Sequence, residues 1–522
     1  MSLYSKYLNR KDWRALKALS NDSIPNYIHG NFSKSKTSTF HSVKDPSTNK
    51  LLSLTPESTA DEVAHSIQSS SAAFKSWRES SILTRQKFIL NFQHLIRQHM
   101  DDLATVITLE QGKTWSDAKA DVFRGLQVVD YAASIPTTLM GQFLQVSEHI
   151  DTSTRKLPLG PCAMIAPSNF PSMIPNWSLP LAIATGNTLL LKPSQRTPMA
   201  SLLLAELASE SGLPDGVLNL VHGTDTVVNT LTTHDDIKAV SFVGGDVAGK
   251  HVYDNATKHG KRVQANMGAK NHAVLLPDAS KDAAISAVLG AAFGAAGQRC
   301  MALSVAVLVG EAREWIPDLV NRASSFKIGN GFDEGVDMGP VISPESKTRI
   351  LKLISESKQQ GAEVLLDGSN VTVEGYEQGN FVGPTLINIP STDIDIYHKE
   401  VFGPVLLLVQ AETLDEAIEI VNRNKYGNGA SIFTESGSAA RRFETLSEPG
   451  QIGVNIPLPV PLPFFSWSGN KASFAGENSF YGEQGINFYT QTKTTTSMFK
   501  PSDKTAALGT SNRAATSMPT NE

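Results

Sequence analysis

Cys300 is one of only two cysteines in this chain of 522 residues. It ends the tetrapeptide Gly-Gln-Arg-Cys at 297–300, which follows a run rich in glycine and alanine at 290–296. A cysteine thiolate is a strong nucleophile toward carbonyl carbon, and the guanidinium of Arg299 would both favour the anion and attract an acidic substrate. A single cysteine can also be an inert, buried apolar residue. Catalysis therefore has to be argued from the groups that accompany Cys300.

Five further motifs accompany Cys300 along the chain. They are Pro167-Ser168-Asn169-Phe170-Pro171, Leu191-Lys192-Pro193, Phe242-Val243-Gly244-Gly245-Asp246-Val247-Ala248-Gly249, Asn266-Met267-Gly268-Ala269-Lys270 and Glu400-Val401-Phe402-Gly403-Pro404. In this order and at this approximate spacing, the motifs resemble the aldehyde dehydrogenase superfamily over residues 27–500. The resemblance covers nearly the whole chain.

The resemblance implies an α/β fold of the aldehyde dehydrogenase kind. A Rossmann-type NAD-binding domain would comprise residues 25–143 and 156–266, and an α/β catalytic domain residues 267–466. A two-stranded β oligomerisation arm would combine residues 144–155 with 485–498, so that we expect a homo-oligomer, either a dimer or a tetramer. The sequence itself agrees with a parallel, doubly wound sheet, because short apolar runs alternate with helical segments from residue 160 onward.

Individual helices and strands can also be placed from the sequence. Amphipathic patterns predict long helices over 84–112 and 116–134, and shorter helices over 175–185 and 198–211. The proline-rich stretch 457–463 must be a loop, because proline cannot join the interior of a sheet.

The resemblance assigns the two catalytic groups. Cys300 would attack the aldehyde, and the side-chain amide of Asn169 would stabilise the resulting oxyanion together with the Cys300 backbone N–H. Loss of one such donor typically costs about 2.7–4 kcal/mol. Without the resemblance, an asparagine between prolines is usually a turn residue.

The cofactor residues follow in the same way. A glycine-rich turn between a strand and a helix can bring a pyrophosphate close to backbone N–H groups, although this turn lacks the G-x-G-x-x-G fingerprint and has Gly245 where the family usually has serine. Lys192 would contact the adenosine ribose, and Glu400 with Phe402 would position the nicotinamide ribose. The complete set of expected cofactor-binding residues is Ala166, Ser168, Lys192, Gln195, Arg196, Gly244, Gly245, Gly249, Glu400 and Phe402.

The choice between NAD and NADP stays open at this point. The family often has glutamate where this chain has Gln195, and that carboxylate repels the 2'-phosphate of NADP. Gln195, followed by Arg196, removes the repulsion. The strings at 264–272 and 293–302 resemble one subfamily of these enzymes, and that subfamily prefers NAD.

Asn266 is the most informative departure from the family pattern. Most aldehyde dehydrogenases have glutamate there, as the base that activates water to hydrolyse the thioester. Asparagine cannot accept that proton, whereas coenzyme A attacks as a thiolate and needs no strong base nearby. The strings at 264–272 and 293–302 resemble the acylating methylmalonate-semialdehyde dehydrogenase subfamily.

That subfamily oxidises methylmalonate semialdehyde or malonate semialdehyde and releases propionyl-CoA or acetyl-CoA with loss of carbon dioxide. Arg124 and Arg299 are the expected clamp for the carboxylate of such a 3-oxo acid, because a guanidinium binds carboxylate bidentately. Arg124 could equally form an ordinary helix salt bridge. The preference between the two semialdehydes stays open. Rival interpretations are a hydrolytic aldehyde dehydrogenase of broader specificity and a catalytically silent structural relative.

The composition supports small-molecule chemistry. A net charge of −5 gives no basic field for nucleic acid, and no apolar run reaches the length of a membrane span. The histidines show no paired ligand spacing, so no metal site is expected. Two cysteines are too few for a disulfide framework, which favours a reducing compartment.

The two ends of the chain carry separate expectations. Residues 1–24 form an N-terminal extension whose first part is basic, acid-poor and amphipathic, which suits a mitochondrial transit peptide and the matrix. The alternative is a surface helix docked on the following domain, with a cytoplasmic location. Residues 501–522 are polar and weakly patterned, and are expected to be a disordered tail.

Overall fold

A computed structural model describes residues 3–19 and 22–499 of the chain. The tail expected at 501–522 lies outside the described residues. Within the described part, no helix is both long and apolar enough to cross a membrane. Both cysteines are free, as the sequence predicts for a chain without a disulfide framework.

Eighteen α-helices are assigned within the described residues. They are α1 (Leu3–Tyr7), α2 (Arg14–Lys17), α3 (Ala60–Trp77), α4 (Ile82–Gln98), α5 (Met100–Gln111), α6 (Trp115–Ala132), α7 (Ile135–Thr138), α8 (Pro175–Ala184), α9 (Met199–Glu210), α10 (Asp225–Thr233), α11 (Asp246–Lys258), α12 (Lys281–Phe293), α13 (Ile316–Ser324), α14 (Pro344–Gln359), α15 (Asp395–His398), α16 (Leu414–Arg423), α17 (Gly437–Leu446) and α18 (Gly482–Phe488). Two 3₁₀ helices, Gly294–Gly297 and Gly310–Trp315, accompany them.

Twenty-two strands are assigned in the same part of the chain. They are β1 (Asn26–Ile28), β2 (Asn31–Ser33), β3 (Phe40–Lys44), β4 (Leu51–Pro56), β5 (Phe143–Ser147), β6 (Ile150–Pro158), β7 (Pro161–Ile165), β8 (Thr188–Lys192), β9 (Leu218–Leu220), β10 (Ala239–Val243), β11 (Arg262–Asn266), β12 (Asn271–Leu275), β13 (Leu303–Val309), β14 (Glu363–Leu366), β15 (Thr385–Asn388), β16 (Val405–Ala411), β17 (Tyr426–Gly427), β18 (Gly429–Phe433), β19 (Gln451–Val454), β20 (Asn470–Lys471), β21 (Phe474–Gly476) and β22 (Thr490–Met498).

The first large sheet has the strand order β2-β1-β9-β8-β7-β10-β11-β21. Its five central strands, from β9 to β11, pair in parallel, while β1, β2 and β21 add antiparallel edges. Each of β7, β8 and β10 is buried along its whole length, because helices cover both faces of the sheet. The order of the parallel strands reverses beside β7, and ligands bind at such a switch point.

The second large sheet has the order β14-β15-β16-β13-β12-β18-β19. All its neighbours pair in parallel except β14, which is antiparallel to β15. Strands β12 and β16 bury nearly every side chain in a separate hydrophobic core. The structure therefore has the two α/β halves that the sequence indicates.

The projecting sheet has three strands, in the order β22-β6-β5, whereas the sequence led us to expect two. Strand β22 pairs with β6 along nine consecutive residue pairs, and β5 forms a hairpin with β6. The turn between Ser147 and Ile150 is tight, so the sequence predicts a single strand over 144–155 where the structure has β5 and β6. Residues 485–488, expected in the arm, belong to helix α18.

The helix expected over 84–112 is in fact two helices, α4 and α5, separated at His99. The backbone of His99 has φ −109° and ψ 22°, so the helical hydrogen bonding restarts after it. The carboxylate of Asp102 lies 3.3 Å from His99 Nδ1 and accepts the Asn9 backbone N–H at 2.8 Å. The break therefore forms where the N-terminal segment meets the domain.

That N-terminal segment packs against the first domain, as the docked-helix alternative predicts. Tyr4 and Trp13 are completely buried. The hydroxyl of Tyr4 donates to the Glu110 carboxylate at 2.7 Å, and the backbone N–H of Ala15 donates to Glu206 at 2.8 Å. The segment is part of the folded domain.

Candidate active site

The glycine-rich turn lies where the sequence predicts, between β10 and α11. Gly245 is the N-terminal capping residue of α11, and Gly244 N–H donates to the Asn266 carbonyl at 3.1 Å. A Cβ atom placed on Gly245 would meet no atom within 4 Å, so the space before the helix is open. Backbone N–H groups at a helix N-terminus favour phosphate, and this geometry fits the pyrophosphate of a dinucleotide.

A cavity of about 530 Å³ extends from this turn to the cysteine. It gathers seven of the expected site residues together with Asn266: Ser168, Asn169, Gly244, Gly245, Cys300, Glu400 and Phe402. A volume of this size is ordinary for a ligand site. The motifs that lie far apart in the sequence therefore meet around one cavity.

The segment that leads to Cys300 has an unusual backbone. Ala295, Ala296 and Gly297 have φ values of 51°, 54° and 69° in succession, a left-handed region that costs alanine about 1–2 kcal/mol per residue. A Cβ on Gly297 would lie 2.1 Å from the Gly403 carbonyl oxygen, so only glycine fits there. Strain of this kind persists only where surrounding structure holds it.

Two amide side chains hold the carbonyl oxygen of Cys300. Asn271 Nδ2 donates to it at 2.8 Å and Asn428 Nδ2 at 3.0 Å. Asn266 Nδ2 in turn donates to Asn428 Oδ1 at 3.4 Å, while Asn266 Oδ1 is buried and has no partner within the described residues. The amide of Asn266 is therefore linked, through Asn428, to the backbone of the nucleophile.

Electrostatics around Cys300 disfavour the thiolate in the protein alone. Burial and the carboxylate of Glu400 raise the pKa of the Cys300 thiol to about 12, against smaller opposing effects of backbone N–H groups and Arg299. Burial also raises the pKa of Glu400 to about 7, against the hydrogen bond from Ala269 N–H. Two acidic groups in one buried site therefore oppose each other's ionisation.

Asn169, in the turn 167–171, contacts the loop that carries Cys300, and a buried lysine holds its backbone. Its Nδ2 donates to the Gln298 carbonyl at 3.1 Å, and its own carbonyl accepts from Lys113 Nζ at 2.6 Å. Lys113 also pairs with Asp121 at 3.2 Å, with both side chains fully buried. Burial lowers the pKa of Lys113, and the Asp121 carboxylate opposes that shift.

A second cavity, of about 200 Å³, reaches Cys300 from the other side. Arg124 and Arg299 both line it, as the carboxylate-clamp interpretation requires. Arg299, however, pairs with Asp117 at 2.6 Å. Cys300 is the point at which this cavity and the larger one meet.

The other expected cofactor residues are less close to this centre. Gln195 and Arg196 line a separate polar cavity of about 340 Å³, and Arg196 pairs with Glu345. Lys192 is buried, and its Nζ donates to the Pro193 and Gly223 carbonyls at 2.9 and 3.0 Å. Burial lowers the pKa of Lys192 to about 8.

Two further residues of the expected cofactor set, Ala166 and Gly249, do not line either of these cavities. Ala166 follows β7, and its N–H donates to the Lys192 carbonyl at 3.0 Å. Gly249 closes the first turn of α11, where a Cβ would meet Met267 at 2.4 Å, so glycine allows the helix to pack closely.

Four residues around Cys300 were not predicted from the sequence: Lys113, Asp117, Asp121 and Asn428. One signal was available for two of these: Asp117 and Asp121 carry charges that share one helix face with Arg124, at the i, i+4, i+7 spacing. The contacts of Lys113 with Asn169 and of Asn428 with Cys300 join residues far apart in the chain and carry no local pattern. Within the described residues, no cluster of three or more His, Cys, Asp or Glu side chains could hold a metal ion.

The chain belongs to the aldehyde dehydrogenase family, whose model matches residues 32–495. It is 49% identical over 495 residues to the acylating mitochondrial methylmalonate-semialdehyde/malonate-semialdehyde dehydrogenase of Bos taurus, covering 94% of this chain and 92% of the bovine one. It is 50% identical over 516 residues to the acylating mitochondrial methylmalonate-semialdehyde dehydrogenase of Arabidopsis thaliana, covering 98% and 85%.

Solved structures of methylmalonate-semialdehyde dehydrogenases are also similar to this chain. One assigned as a methylmalonate-semialdehyde dehydrogenase from Sinorhizobium meliloti 1021, complexed with NAD, has a TM-score of 0.91 at 40% identity, covering 92% of this chain and 99% of that one. The methylmalonate-semialdehyde dehydrogenase of Oceanimonas doudoroffii has a TM-score of 0.90 at 39% identity, covering 92% and 98%. The fold class predicted from the sequence is confirmed.

Proposed function

We propose that this chain oxidises methylmalonate semialdehyde or malonate semialdehyde with NAD and transfers the acyl group from Cys300 to coenzyme A. The observation that carries the proposal is Asn266, a neutral, fully buried side chain on the wall of the cavity that contains Cys300. The names of the bovine and Arabidopsis relatives support the same activity.

In the first stage Cys300 Sγ, as the thiolate, attacks the aldehyde carbon. The side-chain amide of Asn169 would stabilise the new oxyanion. The main-chain carbonyl of Asn169 accepts a hydrogen bond from Lys113, which holds the residue in place. Bound NAD would accept the hydride that leaves the attacked carbon, so that the tetrahedral adduct would become a thioester of Cys300. The open space before α11 at Gly245, and the position of Glu400 and Phe402 on the same cavity, fit that cofactor.

In the second stage the thioester on Cys300 meets a thiol instead of water. The coenzyme A thiolate attacks the thioester carbon, and the Cys300 thiolate leaves, so no group has to accept a proton from water. Asn266 can donate or accept a hydrogen bond but cannot act as a base. Hydrolysis is slow for that reason.

The substrate carboxylate belongs in the smaller cavity, which has cations at Arg124 and Arg299. Loss of that carboxylate as carbon dioxide gives propionyl-CoA from the methylated substrate and acetyl-CoA from the other. We infer NAD rather than NADP as the cofactor, supported by the NAD complex of the Sinorhizobium protein. Gln195 alone would allow either.

A rapid-mixing experiment tests the proposal. With malonate semialdehyde and NAD but no coenzyme A, we expect a burst of about one NADH per active site followed by a slow steady state. Coenzyme A should then restore turnover and give acetyl-CoA. Fast steady turnover in its absence, with a free acid as the product, would return the chain to the hydrolytic class.

We infer that the protein is a homo-oligomer and resides in the mitochondrial matrix. The first inference is supported by exposed apolar side chains on and beside the arm, where Phe143 and Leu144 are 70% and 64% exposed. The second is supported by the word "mitochondrial" in the names of the relatives. Light scattering of the purified protein would give the number of subunits, and the mass of the native N-terminus would show whether the docked segment is retained.

A further inference from the structure

Three asparagine side chains form a hydrogen-bonded group around the main chain of Cys300. The Cys300 carbonyl oxygen accepts from Asn271 Nδ2 at 2.8 Å and from Asn428 Nδ2 at 3.0 Å. Asn428 Oδ1 in turn accepts from Asn266 Nδ2 at 3.4 Å. All three asparagines are at most 2% exposed, so bulk water does not compete for these groups.

The Cys300 carbonyl fixes the orientation of the Asn428 amide. A carbonyl oxygen can only accept a hydrogen bond, so Asn428 must present its nitrogen to Cys300 and its oxygen to the opposite side. The sulfur of Met301, which also accepts from Asn428 Nδ2 at 3.0 Å, favours the same orientation. Turning this amide over would place two oxygen atoms against each other in a buried site, which is costly.

Asn428 fixes the orientation of Asn266 in the same way. The Asn428 oxygen needs a donor, so Asn266 presents its nitrogen to it. The Asn266 oxygen is then left without a partner within the described residues. Asn266 is completely buried and lines the 530 Å³ cavity that contains Cys300. A buried acceptor without a partner is costly, and a ligand that brings a donor into the cavity removes that cost.

Coenzyme A carries a suitable donor close to its thiol. Two methylene carbons join its sulfur to an amide nitrogen, which has one hydrogen. While the sulfur attacks the thioester on Cys300, this N–H lies in the same cavity. Asn266 is separated from the Cys300 carbonyl by only two hydrogen bonds, which brings its oxygen within reach of the N–H. Such a contact would align the sulfur for attack without changing the ionisation of the thiol.

We propose that Asn428 is a positioning residue for acyl transfer, because it turns the Asn266 oxygen toward the amide N–H next to the coenzyme A thiol. This inference rests on the proposed function, which supplies coenzyme A as the acyl acceptor. The coenzyme A thiolate forms the new carbon–sulfur bond, and the bond to Cys300 breaks. Cys300 leaves as the thiolate and takes up a proton equal to the one that the coenzyme A thiol released.

Two short thiols that differ in one group test the proposal. N-acetylcysteamine has the thiol and the amide N–H of coenzyme A, whereas 2-mercaptoethyl acetate has an ester oxygen in place of that N–H. Each kcat/KM is measured with malonate semialdehyde and NAD, and is divided by the rate of the same thiol with a thioester in solution. The amide thiol should be preferred by about fivefold, the size of one neutral hydrogen bond. Equal use of both thiols would overturn the inference.

Two variants test whether the preference depends on the asparagines. Asn266→Leu removes the acceptor, and Asn428→Leu removes the group that orients it, so the preference for the amide thiol should disappear in both. Asn271→Leu is the matched control, because Asn271 holds the same Cys300 carbonyl but has no hydrogen bond to Asn266 in the described part of the chain. The control should oxidise the aldehyde more slowly and keep the preference. Loss of the preference in Asn271→Leu as well would mean that Asn428 only supports the nucleophile.

Coenzyme A itself gives a second readout that needs neither short thiol. In ping-pong kinetics, kcat/KM for coenzyme A reports the second stage and kcat/KM for the aldehyde reports the first. Asn266→Leu leaves both hydrogen bonds to the Cys300 carbonyl in place, so the value for coenzyme A should fall about fivefold while the value for the aldehyde stays the same. A fall in kcat/KM for NAD instead would assign the Asn266 oxygen to the nicotinamide amide and refute the proposal.

The outcomes also separate this inference from the proposed function. If coenzyme A and both short thiols fail to accelerate NADH formation, the proposed function is refuted, and this inference with it. If coenzyme A accelerates NADH formation but Asn266→Leu uses it as well as the unmodified enzyme does, only the assignment of Asn266 and Asn428 is refuted.

Discussion

The ammonium of Lys113 donates a 2.6 Å hydrogen bond to the main-chain carbonyl of Asn169. Lys113 also stands 4.0 Å from the centroid of the Phe170 ring and pairs with Asp121. Its side chain is completely buried, so these contacts are not exchanged for water. The turn that carries the oxyanion amide is thus fixed by a buried cation.

Lys113→Met keeps an apolar stem of similar length and removes the ammonium. We expect kcat to fall by about 10- to 100-fold, because the Asn169 amide loses its alignment, while NAD binding changes little. Lys119→Met is the control, since Lys119 is exposed and pairs with Asp101. Adding Asp121→Leu should recover stability, by removing the unpaired buried carboxylate, without recovering kcat. Recovery of kcat in the double variant would show that Lys113 serves only the fold.

Glu400→Gln should make Cys300 more reactive toward iodoacetamide in the absence of NAD. The Glu400 carboxylate raises the pKa of Cys300, so its removal lowers that pKa and increases the thiolate fraction at a given pH. Glu400 has a pKa of about 7, so the two proteins should differ above pH 7 and converge below it, where Glu400 is protonated. Identical alkylation rates at pH 8 would contradict this coupling.

Asn266→Glu places a carboxylate on the cavity wall. We expect faster hydrolysis without coenzyme A, since water gains a base, and slower transfer to coenzyme A, since the carboxylate repels the thiolate. The effect on hydrolysis falls within the 10²–10⁴-fold range, roughly, of a positioned general base. Steady-state NADH formation with and without coenzyme A measures both. Asn266→Gln is the control, because it enlarges the side chain without a charge.

Glu110 should make the stability of the protein depend on pH. Burial raises its pKa from 4.5 to about 8 in the folded protein. Folding therefore takes up a proton between these values, and the free energy of unfolding should fall as pH rises through that window. Glu110→Gln should flatten this dependence in thermal unfolding scans at pH 5 to 8, whereas Glu79→Gln, at an exposed site, should not. A parallel decline in both variants would exclude Glu110 as its source.

The part of the site that could be predicted consists of residues in short, family-specific motifs next to strands. Gly244, Gly245 and Asn266 follow or end β10 and β11, and parallel pairing of these two strands brings them together. Cys300 and Asn169 were placed by motif in the same way. The role of such a residue can be predicted from the motif in which it occurs.

The remaining features depend on contacts between distant segments. Asp117 and Arg299 are 182 positions apart, and neither has a local pattern that indicates the other. The third strand of the arm is formed by a tight hairpin, and the break at His99 lies where the N-terminal segment contacts the domain. Tertiary contacts of this kind override local propensity. Such contacts determine whether a charged side chain is already paired within the protein, and short sequence motifs do not show this.

The meeting of two cavities at Cys300 has a consequence for chemical labelling. A small anionic electrophile can reach the sulfur from the Arg124 side, and a nucleotide-like electrophile from the glycine-turn side. The other cysteine, Cys162, is fully buried in β7 and offers no competing target in the folded protein. Covalent reagents of two unrelated chemical classes can therefore be directed at a single atom, each blocking a different entrance to it.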